Sequence, residues 1–328
     1  MTCKQIFLLL LGVLLAIALA SLSLGNQSFS PLRLGQILFG EGDEIQRMIL
    51  LSFRLPRILM AVMVGAALAV SGVLMQCVLR NDLAEPGIMG VSSGGNLGVS
   101  LAIIFGGSEL ISPWTLPVMS IVCAMTTVLL VCILAYDRYA LSPIRLLLTG
   151  VAVSTAIGAF TLVLSLNVDR QAYARAVAWM AGSLNKADWN YVAALGGWLG
   201  ITLPVVWSLH HIMNLLRLRE ETGLGLGLAV GRWRIFLLLF GVTIGAAAMS
   251  VVGSIAFVGL VAPHIGRRLV GPNHLPLLPA AALVGAALLL LADTLGRTLF
   301  LPVEMPAGVI VSALGGAYFL YLLMTTRG

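Results

Sequence analysis

Three arginines stand where apolar runs begin or end. Arg54 and Arg57 head one run in Arg-Leu-Pro-Arg, and Arg297 closes another after Leu291-Ala-Asp293-Thr-Leu-Gly296. A guanidinium presents its donors in a planar fork that fits a carboxylate, so the chemistry open to these residues is recognition of acidic groups. The plainer reading is a snorkelling anchor at a membrane surface. A second polar group, Glu220-Glu221-Thr222, lies in the stretch 213–228. A third, Asn81-Asp-Leu-Ala-Glu-Pro86, follows the run headed by Arg57, and Leu141-Ser-Pro-Ile-Arg145 precedes a later one. None of this is catalytic equipment. Cys3, Cys77, Cys123 and Cys132 lie in or beside apolar runs without redox or metal spacing and read as packing residues. His210, His211, His264 and His274 show no metal-ligand pattern. No Gly-x-x-x-x-Gly-Lys-Ser/Thr stretch is present, and no His, Asp and Glu constellation gathers within the runs.

The elements that must position these groups follow from composition. Of 328 residues, 59% are hydrophobic and only 10% charged, which excludes an ordinary soluble enzyme. Runs of about 20 apolar residues recur, and in hydrocarbon such runs are helices, because a barrel would need short alternating strands. Clear spans are expected at 6–24, 58–79, 114–135, 144–166, 191–209, 235–252, 277–295 and 307–324, with weaker ones at 90–105 and 256–269, so hydropathy leaves eight to ten. Lys4 before an apolar run and Ala18-Leu-Ala20 resemble a secretory signal; the run is long for that role and is read as a retained first span. With ten spans both termini share a side. Placing them in the cytoplasm puts Lys4, Arg80, Arg138, Arg145, Arg217, Arg219, Arg232, Arg234, Arg267, Arg268 and Arg327 inside, eleven of nineteen basic residues. The net charge of +6 then belongs with membrane lipid and not with nucleic acid.

Small residues recur four apart at Ala61, Gly65 and Ala69, at Gly241 and Gly245, and at Gly308, Ser312 and Gly316. Such stripes let helix backbones approach closely in lipid. A faint echo links 57–90 with 234–266: a basic residue, an apolar span with Gly-Ala-Ala, then a segment broken by Gly and Pro. The two spans run in opposite directions, the pattern of an inverted repeat.

The run from Arg54 through Gly65-Ala-Ala-Leu-Ala-Val-Ser-Gly72, Gln76 and Asn81-Asp-Leu-Ala-Glu-Pro-Gly87-Ile-Met-Gly90-Val-Ser-Ser-Gly-Gly95 carries a resemblance. So does Val252-Gly-Ser-Ile-Ala-Phe-Val-Gly-Leu-Val-Ala-Pro-His264-Ile-Gly-Arg-Arg268. The chain resembles the FecCD-type permease subunits of bacterial ABC importers for iron-siderophore, haem and cobalamin, over nearly its whole length. The resemblance implies an all-α, polytopic membrane protein with ten transmembrane helices, a cobalamin-importer-like permease fold, and one transmembrane domain over 1–328. It implies a transporter subunit and not an enzyme. No cofactor is expected on this chain, with ATP and Mg held by separate ABC ATPase subunits. Further partners are a periplasmic or lipid-anchored substrate-binding protein, a second permease subunit (same chain or paralogue) and membrane lipid. The setting is the bacterial cytoplasmic (inner) membrane with both termini cytoplasmic.

The same resemblance assigns roles. Arg54, Arg57 and Arg297 match arginines that receive glutamates of the binding protein. The stretch 213–228 matches the family's coupling helices, with Leu218, Glu220, Glu221, Thr222, Leu226 and Gly227 as ATPase-coupling residues; Arg219 stands where relatives commonly carry Gly. Leu83, Pro143 and Ile144 take the position of the cytoplasmic gate, an apolar constriction that blocks flow by dewetting. Asp82 replaces the relatives' proline there. Trp179-Met-Ala-Gly-Ser-Leu-Asn185 looks more like siderophore permeases than the cobalamin one, so an iron-siderophore complex is the expected substrate, with haem or cobalamin as alternatives. An ion-driven secondary transporter is the rival class. Such carriers place ionisable groups mid-span, and by hydropathy only Asp293, near a span end, comes close.

Overall fold

Apolar runs without water must satisfy their own backbone, and the chain does so by folding almost entirely into helices. The computed structural model describes residues 2–25, 28–38, 43–105, 115–136, 142–166, 170–300 and 303–325. In chain order the helices are α1 Cys3–Ser23, α2 Pro31–Leu38, α3 Glu44–Met48, α4 Leu55–Leu79, α5 Val91–Phe105, α6 Thr115–Ala135, α7 Pro143–Ser165, α8 Arg170–Met180 and α9 Trp189–Ser208. They continue with α10 His210–Leu216, α11 Glu220–Gly225, α12 Val230–Val252, α13 Val258–Val270, α14 His274–Thr298 and α15 Ala307–Thr325. A π-helical stretch, Ile49–Arg54, runs α3 into α4, so the second span is a continuous Glu44–Leu79. Among the described residues seven helices are long and apolar enough to cross a bilayer, and α5 and α15 are shorter apolar helices.

α4 is the axis of the bundle. It packs against α14, α12, α13 and α9, and its apolar window is 78% buried, against 11% for the peripheral α1. Gly65 of α4 and Gly285 of α14 meet backbone to backbone; a methyl group on either would collide with the other's carbonyl. The expected packing role of the small-residue stripes therefore holds for the first two. In the third, Gly308 is packed against Ala181, whereas Gly316 faces open space.

The two echoing halves cross each other. Gly72 of α4 lies against Gly259 at the start of α13, and Gly245 of α12 lies near Pro86, which opens the 3-10 turn Pro86–Met89 before α5. Each long helix thus holds the broken segment that follows the other. The second break spans 253–257, with left-handed backbone at Gly253 (φ +85°) and Phe257 (φ +67°). Pro263 does not end α13. Lacking an N–H, it leaves the carbonyl of Gly259 without a helical donor, and the Gln76 side-chain amide donates there instead at 3.4 Å.

This crossing corrects the expectation that only Asp293 comes close to a mid-span ionisable group. After Asn81 the chain turns back into the bundle. Gly245, beside Pro86, is fifteen residues into α12, about 22 Å along it. Glu85 is therefore an acid deep among the spans, which the search for mid-span ionisable groups missed. Its Oε2 accepts from the Phe257 N–H at 2.8 Å, capping α13 from the opposite half at its positive end.

Candidate functional site

The polar groups gather at the two ends of α4, about 37 Å apart over its 25 residues. At the first end, Arg57 lies one turn into the helix, and α14 brings Asp293 beside it. Arg57 Nε is 3.0 Å from both Asp293 oxygens and its Nη2 is 2.8 Å from Oδ1, while its Nη1 donates to Glu304 at 3.0 Å. Asp293 is only 1% exposed and also lies 3.8 Å from Arg297 Nε. Arg297 reaches the end of α1, donating to Leu24 O at 3.1 Å, to Ser21 Oγ at 2.6 Å and to Ser21 O. Arg54 donates to Leu22 O, and its guanidinium carbon sits 4.8 Å over the Phe29 ring.

The structure thus brings the three arginines together around a cavity of about 460 Å3 whose wall also includes Phe53, Asn185 and Glu304. Asp293 and Glu304 offset two of the three charges. Glu304, whose side chain is 37% exposed, is the more accessible of the two acids. Neither the Asp293 nor the Glu304 pairing was legible beforehand, since the partners lie 236 and 247 residues from Arg57.

At the other end Arg80 adopts a left-handed conformation (φ +49°) that stops α4. Its guanidinium donates to Leu216 O at 3.2 and 3.0 Å and to Leu218 O at 2.6 Å, tying α4 to the stretch 213–228. Of that stretch, Met213 and Leu216 are buried in α10 and belong to the bundle. The projecting part is α11, with Leu218, Glu221, Thr222, Leu224 and Leu226 exposed. Gly227, φ +79°, ends α11 by the usual double bond, Leu228 N to Gly223 O at 3.0 Å and Gly227 N to Leu224 O at 2.9 Å. Arg219, at the N-cap, accepts through its carbonyl from Gly223 N, so the helix starts normally despite the change from Gly. Glu220 differs from Glu221: it turns inward to pair with the buried Arg234 at 3.1 Å. That bond uses Arg234 Nη1, and Nη2 has no hydrogen-bond partner among the described residues.

The expected gate is less assembled. The carbonyl oxygen of the Asn81 side chain accepts from Leu83 N at 2.9 Å, which shapes the turn. Leu83 and Pro143 are half-buried and Ile144 is 72% exposed, and none of the three belongs to the packed core. Asp82 is 3.4 Å from Arg267. Leu141 lies outside the described residues.

The described residues thus form a helical bundle with crossed broken segments, an arginine-lined cup at one end and a projecting short helix at the other. The profile of the FecCD transport family matches residues 13–325. The chain belongs to that family. Among its relatives, the iron(3+)-hydroxamate import system permease protein FhuG of Bacillus subtilis (strain 168) is 40% identical, over 93% of this chain and 92% of the relative. The hemin transport system permease protein HmuU of Yersinia pestis is also 40% identical, over 97% and 96%. A solved structure described as a metal-chelate type ABC transporter in an inward-facing conformation is 32% identical, covers 99% of this chain and all of that one, and superposes with a TM-score of 0.87. This FecCD chain is an ABC-type permease, a transporter subunit spanning the membrane many times.

Proposed function

We propose that this FecCD permease carries an iron-siderophore complex across the bacterial cytoplasmic membrane, pairing with a second permease subunit and drawing on ATP hydrolysis by separate ABC ATPases. The observation that carries the reading is the full-length likeness to a permease named for ferric hydroxamate import. In this reading both chain ends and α11 face the cytoplasm. The arginine end faces outward and receives carboxylates of a binding protein at Arg54, Arg57 and Arg297. α11 sits in a cleft of the ATPase through Leu218, Glu221, Thr222 and Leu226, while Glu220 and Gly227 hold its shape. The Arg80 bonds pass its displacement to α4, a rigid connection between elements with two arrangements. Leu83, Pro143 and Ile144 close the cytoplasmic mouth against the second subunit.

Glu85 favours testing the ion-driven alternative directly, because a carboxylate buried among the spans is a functional candidate by default. Reconstituted with its ATPase and binding protein, the permease should take up ferric hydroxamate only while ATP is hydrolysed, and uptake should persist with proton and sodium gradients collapsed. Uptake driven by a gradient alone would overturn the proposal.

A further inference from the structure

Beside the coupling end, a cavity of about 380 Å3 opens between the end of α4, α10 with the Arg217 that follows it, and the turn joining α13 to α14. Its wall carries three guanidinium groups, Arg80, Arg217 and Arg267, and one carboxylate, Asp82. Each guanidinium is held from behind. Arg80 uses Nε and Nη2 on the carbonyls of Leu216 and Leu218, Arg217 uses Nη1 on Pro272 O, and Arg267 uses Nη2 on Gln76 Oε1 and, at 3.4 Å, Asp82. Their remaining N–H groups have no partner in the chain among the described residues: Nη1 of Arg80, Nε and Nη2 of Arg217, Nε and Nη1 of Arg267. His274 also lines the cavity, with its Nδ1 2.8 Å from Asn214 Oδ1, an acceptor, so that nitrogen carries a proton. Three fixed positive forks against one carboxylate leave a net positive site already ordered for an oxyanion, and ordering before binding removes much of the entropy cost.

The surroundings indicate where the anion comes from. Trp207 is half-exposed and its indole N–H donates to Leu275 O at 3.2 Å, while Leu275 and Leu269 are also exposed. An indole at a span end beside uncovered leucines marks the level where headgroups meet acyl chains. We propose that this cavity is a binding site for a phosphate-bearing anion, supplied by the headgroup of an acidic phospholipid. Basic pockets between spans at the membrane surface recognise such headgroups, and each arginine contributes about a fivefold gain in binding. The proposal does not depend on which molecule the permease carries.

The test places the full chain in nanodiscs of phosphatidylcholine with a minor fraction of phosphatidylglycerol and counts retained phosphatidylglycerol by native mass spectrometry. Arg217→Gln should lower retention about fivefold, and Asp82→Asn should raise it. Arg268→Gln, the same charge change at an exposed site outside the cavity, should leave it unchanged. Inorganic phosphate should compete in the wild type. Thermal unfolding of each variant in pure phosphatidylcholine checks that it is folded, and a variant that is not is replaced by Arg217→Lys, for which intermediate retention is expected. If phosphate protects the wild type in pure phosphatidylcholine while phosphatidylglycerol shows no preference, the lipid source is overturned and a soluble phosphate takes its place. Equal retention in all variants, or a charge effect appearing only when the ATPase is bound, would overturn the site.

Discussion

At the arginine end of α4 the charges are answered within the chain, by Asp293 and Glu304 and by carbonyls at the end of α1, whereas on and beside α11 Glu221, Thr222, Leu224 and Leu226 are exposed, with no side-chain partner among the described residues. Under the proposed function the first end exchanges an internal contact to bind a partner, and the second is simply covered. The contrast separates residues that resemble one another in sequence. Arg57 and Arg297 are tied into the bundle by their own ion pairs and hydrogen bonds, and of the adjacent Glu220 and Glu221 one is a brace and the other is exposed.

The strongest way to break this contrast is at Asp293. Asp293→Asn leaves Arg57 and Arg297 facing each other in a buried setting, and losing one member of such a group costs about 3–5 kcal/mol. Unfolding in detergent should shift accordingly; an unchanged transition would mean that the cup is not held by its ion pairs. At the coupling end, Glu220→Lys sets a cation against buried Arg234 and should cost about 2 kcal/mol, reduced from the fully buried figure because Glu220 is partly solvated. Glu221→Lys should leave stability within about 0.5 kcal/mol. Equal losses for the two glutamates, read from the same unfolding curves, would erase the distinction. The smallest effect is expected at Glu304. Glu304→Gln frees Arg57 Nη1 from its internal competitor and should tighten binding-protein docking by up to about fivefold, the range of a half-exposed pair. Titration of the purified binding protein showing weaker docking instead would make Glu304 part of the contact surface.

The helices were legible because hydrocarbon permits little else: α4, α6, α12 and α14 lie within a few residues of the expected spans. What escaped the sequence were contacts between distant segments. Glu85 looked like a loop acid because hydropathy ranks a residue by its own polarity, and only the crossing at Gly72, Gly245 and Gly259 makes room for it beside the Phe257 N–H. Gln76 carried no signal for its role in satisfying the carbonyl freed by Pro263. Arg80 read as a topological charge, although its guanidinium is what fastens α4 to Leu216 and Leu218. The three arginines of the cup were singled out by position, while their internal acids were not.

The claim that one end receives the binding protein and the other drives from the ATPase is tested most directly by a double dissociation in the reconstituted importer. Binding-protein affinity and binding-protein-stimulated ATP hydrolysis are measured together for Arg57→Glu and Glu221→Lys. The account predicts that Arg57→Glu loses affinity, regains part of it with a reversed charge on the binding protein, and keeps basal hydrolysis. Glu221→Lys should bind normally but lose the stimulation and the uptake it drives. Folded variants in which Glu221→Lys weakens docking, or in which Arg57→Glu docks with wild-type affinity and unchanged salt dependence, would contradict it.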